Sequence, residues 1–185
     1  MRPILFYTVG LPGAGKTTLA HKLSFLLKAE HLRGDKIGLE LFRFPTFSPQ
    51  ERKMVYQEMA YRAADQLAAG RHVLYDAAAN TVAQRADIVR LAAQHNADAV
   101  GIWVHTAVPV AKKRAGVARD AGVVGSVVRV VPPHVFDQYA AAFERPQLGE
   151  NIVIISGEAQ FYLQYRRLQR ALHKRRLQRL HRLVQ

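Results

Sequence analysis

The chain has 185 residues, with 27 Lys and Arg against 14 Asp and Glu, and no cysteine. That length suits one α/β domain with at most a small insert, and its core is large enough to fold without staples. The lack of cysteine excludes disulfides, zinc ribbons and a thiol nucleophile. The net charge of +13 is uneven: no acidic residue follows Glu158, while Arg166, Arg167, Arg170, Lys174, Arg175, Arg176, Arg179 and Arg182 supply 8 of the 27 bases, leaving 19 bases against 14 acids in residues 1–158.

In chain order, Ile4 to Val9 is a short, β-rich apolar run that reads as a buried strand, and Lys16 to Lys28 carries apolar residues at helical spacing. Ala29 to Gly34 reads as a second strand, and Lys36 to Phe44 as a helical segment that ends before Pro45. Ser48 followed by Pro49 marks the start of a helix reaching Gly70. His72 to Tyr75 reads as a buried strand, Thr81 to His95 as a helix and Ala97 to Val104 as a strand. Pro109 opens a further helix, Gly116 to Gly125 reads as mobile, Pro132 and Pro133 restart a helix through Phe143, and Asn151 to Ile155 form a last strand before a helical tail. Such alternation predicts a parallel sheet covered on both faces.

The most specific motif joins the first strand to the first helix: Gly10-Leu11-Pro12-Gly13-Ala14-Gly15-Lys16-Thr17, a G-x-x-x-x-G-K-[ST] phosphate loop. Glycines let backbone N–H groups turn toward phosphate oxygens, and the following helix aims its positive dipole end at the same place. Gly10, Gly13, Ala14, Gly15, Lys16, Thr17 and Thr18 are therefore expected to bind ATP. Lys16 would reach the β and γ phosphates, and the Thr17 hydroxyl would join a Mg²⁺ shell. Because this element begins so near the amino terminus, a cleaved leader would destroy it, which points to the cytoplasm. No apolar run approaches the roughly 20 residues of a membrane span.

Ligands of such sheets gather at the carboxyl ends of the strands. Asp35 and Asp76 fall there. Asp76 is a candidate Mg²⁺ ligand, and the other reading of each aspartate is a turn or helix-capping residue. The histidines show no metal-binding spacing, and Trp103 fits a core strand better than a base-stacking platform.

Together the loop at residues 10–18, Asp35 after a short strand, Val73-Leu74-Tyr75-Asp76 followed by Asn80 and Gln84-Arg85, the basic segment Lys112 to Arg119, and Tyr139 to Pro146 resemble the small P-loop kinases of the polynucleotide 5′-hydroxyl kinase and zeta-toxin-like group. The resemblance spans most of residues 3–157. It implies a three-layer P-loop fold with sheet order 2-3-1-4-5 and a helical lid, and transfer of the ATP γ-phosphate to a hydroxyl. Lys16, Asp35, Arg114 and Arg119 would then be catalytic, with Asp35 as the base and the two arginines on the lid; Arg33, Asn80 and Arg85 would contact the acceptor. The chain departs from the group at Gly38, where an arginine is common, and in Ser126-Val127-Val128-Arg129, which lacks an acidic residue often found there.

The expected organisation is a kinase domain over residues 1–158, with its lid at about 110–131, and a basic helix over 159–185. On that helix Phe161, Tyr165, Leu168 and Leu172 form a docking stripe. Its basic end is open to three readings: a solvated helix, a nucleic-acid contact or an acidic-membrane contact. The charge favours a polynucleotide 5′-hydroxyl as acceptor. Gly38 favours the alternative, a sugar, nucleoside or antibiotic hydroxyl. A nucleotide-gated binding protein without transfer is the third possibility.

Overall fold

A computed structural model describes residues 2–46, 48–117 and 130–183, with only the backbone described for 175–183. The order is β1 (Ile4–Val9), α1 (Lys16–Leu27), β2 (Ala29–Arg33), α2 (Gly34–Leu41), α3 (Pro49–Ala68), β3 (His72–Asp76), α4 (Val82–Gln94), β4 (Asp98–His105), α5 (Val108–Ala115), α6 (Pro133–Ala141), β5 (Ile152–Ser156) and α7 (Phe161–Leu183). The strands form one sheet in the order β2-β3-β1-β4-β5, as expected. All neighbours are parallel, with Leu5 opposite Val73 and Ala99, and Trp103 opposite Ile154.

Alternation along β1 divides the core into two layers, because successive side chains of a strand point to opposite faces. Leu5, Tyr7 and Val9 pack with Met59, Ala63 and Leu67 of α3 and Ile88 and Ala92 of α4. Phe6 faces the other way, toward Leu19, Ala20 and Leu23 of α1 and Leu168 of α7. Phe161, Tyr165 and Leu172 pack against that same layer, so the first half of α7 docks through its apolar stripe. Trp103 packs against the α3/α4 layer.

Two departures in the element bounds matter for the site. Helix α2 begins at Gly34 rather than Lys36, so Asp35 lies in its first turn, and it ends at Leu41, short of Phe44. Asp76 is the last residue of β3 rather than the residue after it. Of the expected lid, residues 110–117 and 130–131 are described; Arg119 and the rest of the stretch 116–125 lie outside the described residues. Among the described residues no helix is long and apolar enough to cross a membrane.

Candidate active site

The phosphate loop is held between the ends of β1 and α5. Gly13 has φ +75°, and a Cβ there would collide with the Ala111 carbonyl and, at 2.8 Å, with the Ala115 nitrogen, so no side chain fits between loop and helix. Gly15, with φ +98°, is the N-cap of α1 and leaves the helix without a side-chain cap. Nothing but the Gly157 carbonyl, at 4.0 Å, approaches a Cβ built there. The first-turn N–H groups of α1 are thus left for an anion, with the helix dipole behind them. Thr106 Oγ1 donates to the Ala14 carbonyl at 3.0 Å and fixes the middle of the loop. Thr17 is partly buried on the first turn of α1, and Thr18 beside it is exposed.

Lys16 folds back over this loop, its Nζ donating to the carbonyls of Gly10 at 2.8 Å and Leu11 at 2.9 Å. Burial lowers its pKa to about 8, against the opposing pull of the Asp76 carboxylate. A desolvated ammonium ion beside uncapped helix N–H groups fits a phosphate chain, which supplies the missing negative charge.

Asp35 Oδ1 and Oδ2 accept from Arg33 Nε at 3.1 Å and Nη2 at 2.6 Å, a two-bond fork that sets the carboxylate plane. Lys36 N donates to Oδ1 at 2.8 Å. The Arg33 side chain is 6% exposed and that of Asp35 33%. The Arg33 guanidinium is thus turned onto Asp35 in this structure, where the expectation set it at the acceptor.

Asp76 is buried, within 3.5 Å of Thr8 Oγ1 and 3.1 Å of His31 Nε2. His31, two residues before Arg33 on β2, carried no motif in the sequence. Parallel pairing, which sets Arg33 opposite Asp76, brings it there. Among the described residues no group of three or more His, Cys, Asp or Glu side chains is arranged to hold a metal alone. Asp76 and Thr17 nevertheless offer hard oxygen donors of the kind Mg²⁺ takes, since it is usually held by one or two carboxylates together with substrate phosphates and water.

Asn80 and Arg85 both make structural bonds close to the site. Asn80 Oδ1 accepts the Gly10 N–H at 3.0 Å, and Gln84 Oε1 accepts the Asn80 N–H at 2.9 Å beside the Thr81 N–H of the capping box that starts α4. Arg85 is 1% exposed; its Nη2 donates to Glu150 Oε1 at 2.9 Å and its Nη1 to the Glu144 carbonyl at 3.0 Å. Its guanidinium is engaged by the connection between α6 and β5, where the expectation set it at the acceptor. Arg114 donates through Nη1 to the Gly157 carbonyl at 3.0 Å, beside the phosphate loop, and does not line the cavity that holds Asp35.

That cavity, about 940 Å³, opens between α3, α4 and α6. Lys16 and Asp35 share its wall with Asn80, Tyr56, Tyr75 and Tyr139. Arg52 Nη1 donates to Tyr139 Oη at 3.3 Å, tying α3 to α6 across it. Tyr75 Oη donates to the Tyr56 carbonyl at 3.3 Å. Burial raises the pKa of both Tyr56 and Tyr75, so both phenols stay neutral.

A family model described as an AAA domain matches residues 5–146. A sequence comparison with curated proteins finds no match. Among solved structures, a gluconokinase from Sinorhizobium meliloti 1021 superposes with a TM-score of 0.67 at 13% identity, over 94% of this chain and 93% of that one. The APS kinase of Mycobacterium tuberculosis, in complex with AMPPNP and APS, gives 0.66 at 17% identity over 93% and 98%. A chain of the Pnkp1/Rnl/Hen1 RNA repair complex gives 0.59 at 19% identity over 76% of this chain and 43% of that one. The chain belongs to the AAA domain family and has the fold of the small P-loop kinases.

Proposed function

We propose that the protein is an ATP- and Mg²⁺-dependent phosphotransferase acting on a hydroxyl of a small molecule seated in the cavity between α3, α4 and α6. The observation that carries this reading is that Lys16 of the phosphate loop and Asp35 of α2 line one and the same cavity. A base and a phosphate-binding cation facing one space is what transfer between two bound substrates requires. Bound Mg²⁺ would neutralise charge on the phosphate oxygens, with Thr17 and Asp76 as its protein donors. The Asp35 carboxylate, held by the Arg33 fork, takes the proton of the acceptor hydroxyl as its oxygen forms the new bond to phosphorus, and the departing electron pair stays on ADP. Lys16 and the N–H groups of α1 face the charge that develops, and Arg114 borders the same loop.

A polynucleotide 5′-hydroxyl is the second reading. It is favoured by the eight bases after Glu158 and by the likeness to a chain of an RNA repair complex. One experiment separates the readings: incubation with γ-labelled ATP and gluconate, nucleosides, aromatic alcohols and 5′-hydroxyl oligonucleotides. Label on a small molecule supports the first reading. Label on oligonucleotides alone, with a steep salt dependence that flattens when Arg175, Arg176, Arg179 and Arg182 are replaced by Gln, supports the second. ATP binding without transfer to any of them would contradict both and leave a nucleotide-gated binding protein.

A further inference from the structure

The two faces of the sheet are covered by helices of different charge. On one face α3 sets three acids, Glu51, Glu58 and Asp65, against three bases, and α4 adds Asp87. The other face is covered by α1 and α7, which pack against it through Leu19, Ala20, Leu23 and Leu168. Neither of these two helices contains an aspartate or glutamate, while α7 alone carries eight Lys and Arg. All the formal charge on the α1/α7 side chains is therefore positive, and the resulting field draws in anions.

The same side exposes apolar groups. Phe25 of α1 is 71% exposed, and Leu26 of α1 and Tyr162 and Leu163 of α7 are exposed as well. Lys22 Nζ stands 5.2 Å from the centre of the Phe161 ring, so α1 and the start of α7 lie side by side. Arg166 lies over the Tyr162 ring at 5.4 Å, and its Nη1 donates to Tyr162 Oη at 2.8 Å, which pairs a cation with an exposed ring. Steps of four, seven, four and three residues place Tyr162, Arg166, His173, Leu177 and Leu180 on one side of the helix. That side lies roughly a third of a turn from the stripe of Phe161, Tyr165, Leu168 and Leu172 that docks on the sheet. Leucine and arginine thus alternate in blocks along the free side of α7.

Each class of partner would meet this pattern differently. A nucleic-acid backbone would use the arginines but leave Phe25, Leu26 and Leu163 in water. A second copy would bring positive helices together with no acid on either to pair them. An acidic groove that wraps a helix would have to unseat α7, because its docking stripe is already buried on the sheet. An anionic bilayer uses every part of the pattern: headgroup phosphates meet the guanidinium groups, the arginine stems lie along the apolar boundary, and Phe25 and the leucines enter it. We propose that the α1/α7 face docks flat on an anionic lipid surface, with α7 lying in the headgroup layer. The cavity that holds Lys16 and Asp35 lies among α3, α4 and α6 on the opposite face, and in this pose it still faces water. The proposal does not depend on the phosphotransferase reading, and it competes with the polynucleotide reading for the same bases.

The test titrates the full chain with vesicles of phosphatidylcholine alone or with about 30% phosphatidylserine, and in parallel with a 5′-hydroxyl oligonucleotide at the same ionic strength. The chain should bind the anionic vesicles at least about a hundredfold more tightly than the neutral ones. Replacing Arg175, Arg176, Arg179 and Arg182 by Gln should remove most of that difference. The double variant Phe25→Ser with Leu163→Ser changes no charge and alters two exposed side chains, so it should keep the melting temperature and the ATP affinity. It should weaken binding to anionic vesicles by about tenfold or more and leave oligonucleotide binding unchanged. Oligonucleotide binding without vesicle binding, vesicle binding indifferent to lipid charge, or anionic-vesicle binding that the double variant leaves intact would each overturn the proposal. Self-association of the chain that the double variant abolishes would overturn it too, by giving this face to a second copy.

Discussion

Asn80 Oδ1 accepts the backbone N–H of Gly10 at 3.0 Å, so the first glycine of the phosphate loop hangs from a side chain 70 residues further along the chain. The Asn80 carbonyl in turn accepts the Glu144 N–H at 3.0 Å. The loop, the start of α4 and the segment after α6 are thereby linked through one residue.

Asn80→Ala should strand a buried N–H, at a cost of about 1–3 kcal/mol. Denaturant melts should show that loss, and calorimetric titration should show weaker ATP binding. Asn80→Asp keeps an acceptor but brings a negative charge toward the phosphates. It should retain most of the stability and still bind ATP poorly, which separates the strut from the charge.

Arg85→Met should destabilise the fold by about 2–4 kcal/mol, because it removes the buried partner of Glu150 and of the Glu144 carbonyl. The side-chain bonds from Arg85 hold the Glu150 carboxyl below the usual glutamate range. A carboxylate whose pKa is lowered on folding contributes stability that is present above its unfolded value and lost as pH falls through the folded one. The wild type should therefore lose stability on acidification below the ordinary carboxylate range more steeply than Arg85→Met does. Melting temperatures measured from about pH 3 to about pH 6 provide the check.

Lys16, at about pH 8, has a pKa below that of an unfolded lysine. The unfolded chain binds more protons between these values, so this group makes folding more favourable as pH rises from about 8 toward the ordinary lysine range. Phosphate binding needs the charged form and has the opposite sign. ATP affinity should be flat below about pH 8 and then fall by up to about tenfold per pH unit, with proton uptake on binding. In Lys16→Ala the affinity should be weak and that pH dependence absent.

The fold was legible because its signals are local. The apolar run of β1, the glycines before Lys16 and the Ser48-Pro49 helix start each act within a few residues, and with alternating helices they leave few arrangements but a parallel sheet. The environment of the site was not, because it comes from long-range pairing. His31 reaches Asp76 only through the register of β2 on β3. Arg85 is set at the acceptor by the resemblance, and its burial against Glu150, 65 residues further along the chain, carries no local signal. Arg33 and Asp35 are neighbours in sequence, but which way the guanidinium turns depends on its burial beneath the sheet end. The cavity beside Asp35 depends on how α3, α4 and α6 splay, which no periodicity encodes.

The most direct measurement is on Asp35→Asn, comparing ATP affinity by titration with single-turnover label transfer from γ-labelled ATP to whichever acceptor the wild type uses. The amide keeps the size of the carboxylate and cannot take the acceptor's proton. The expected result is ATP affinity within about threefold of wild type and transfer reduced by about 10²-fold or more, in line with the loss of a general base. Wild-type transfer in Asp35→Asn, or a loss of ATP affinity that accounts for the whole fall in rate, would contradict the assignment of Asp35 as the base of a phosphotransferase.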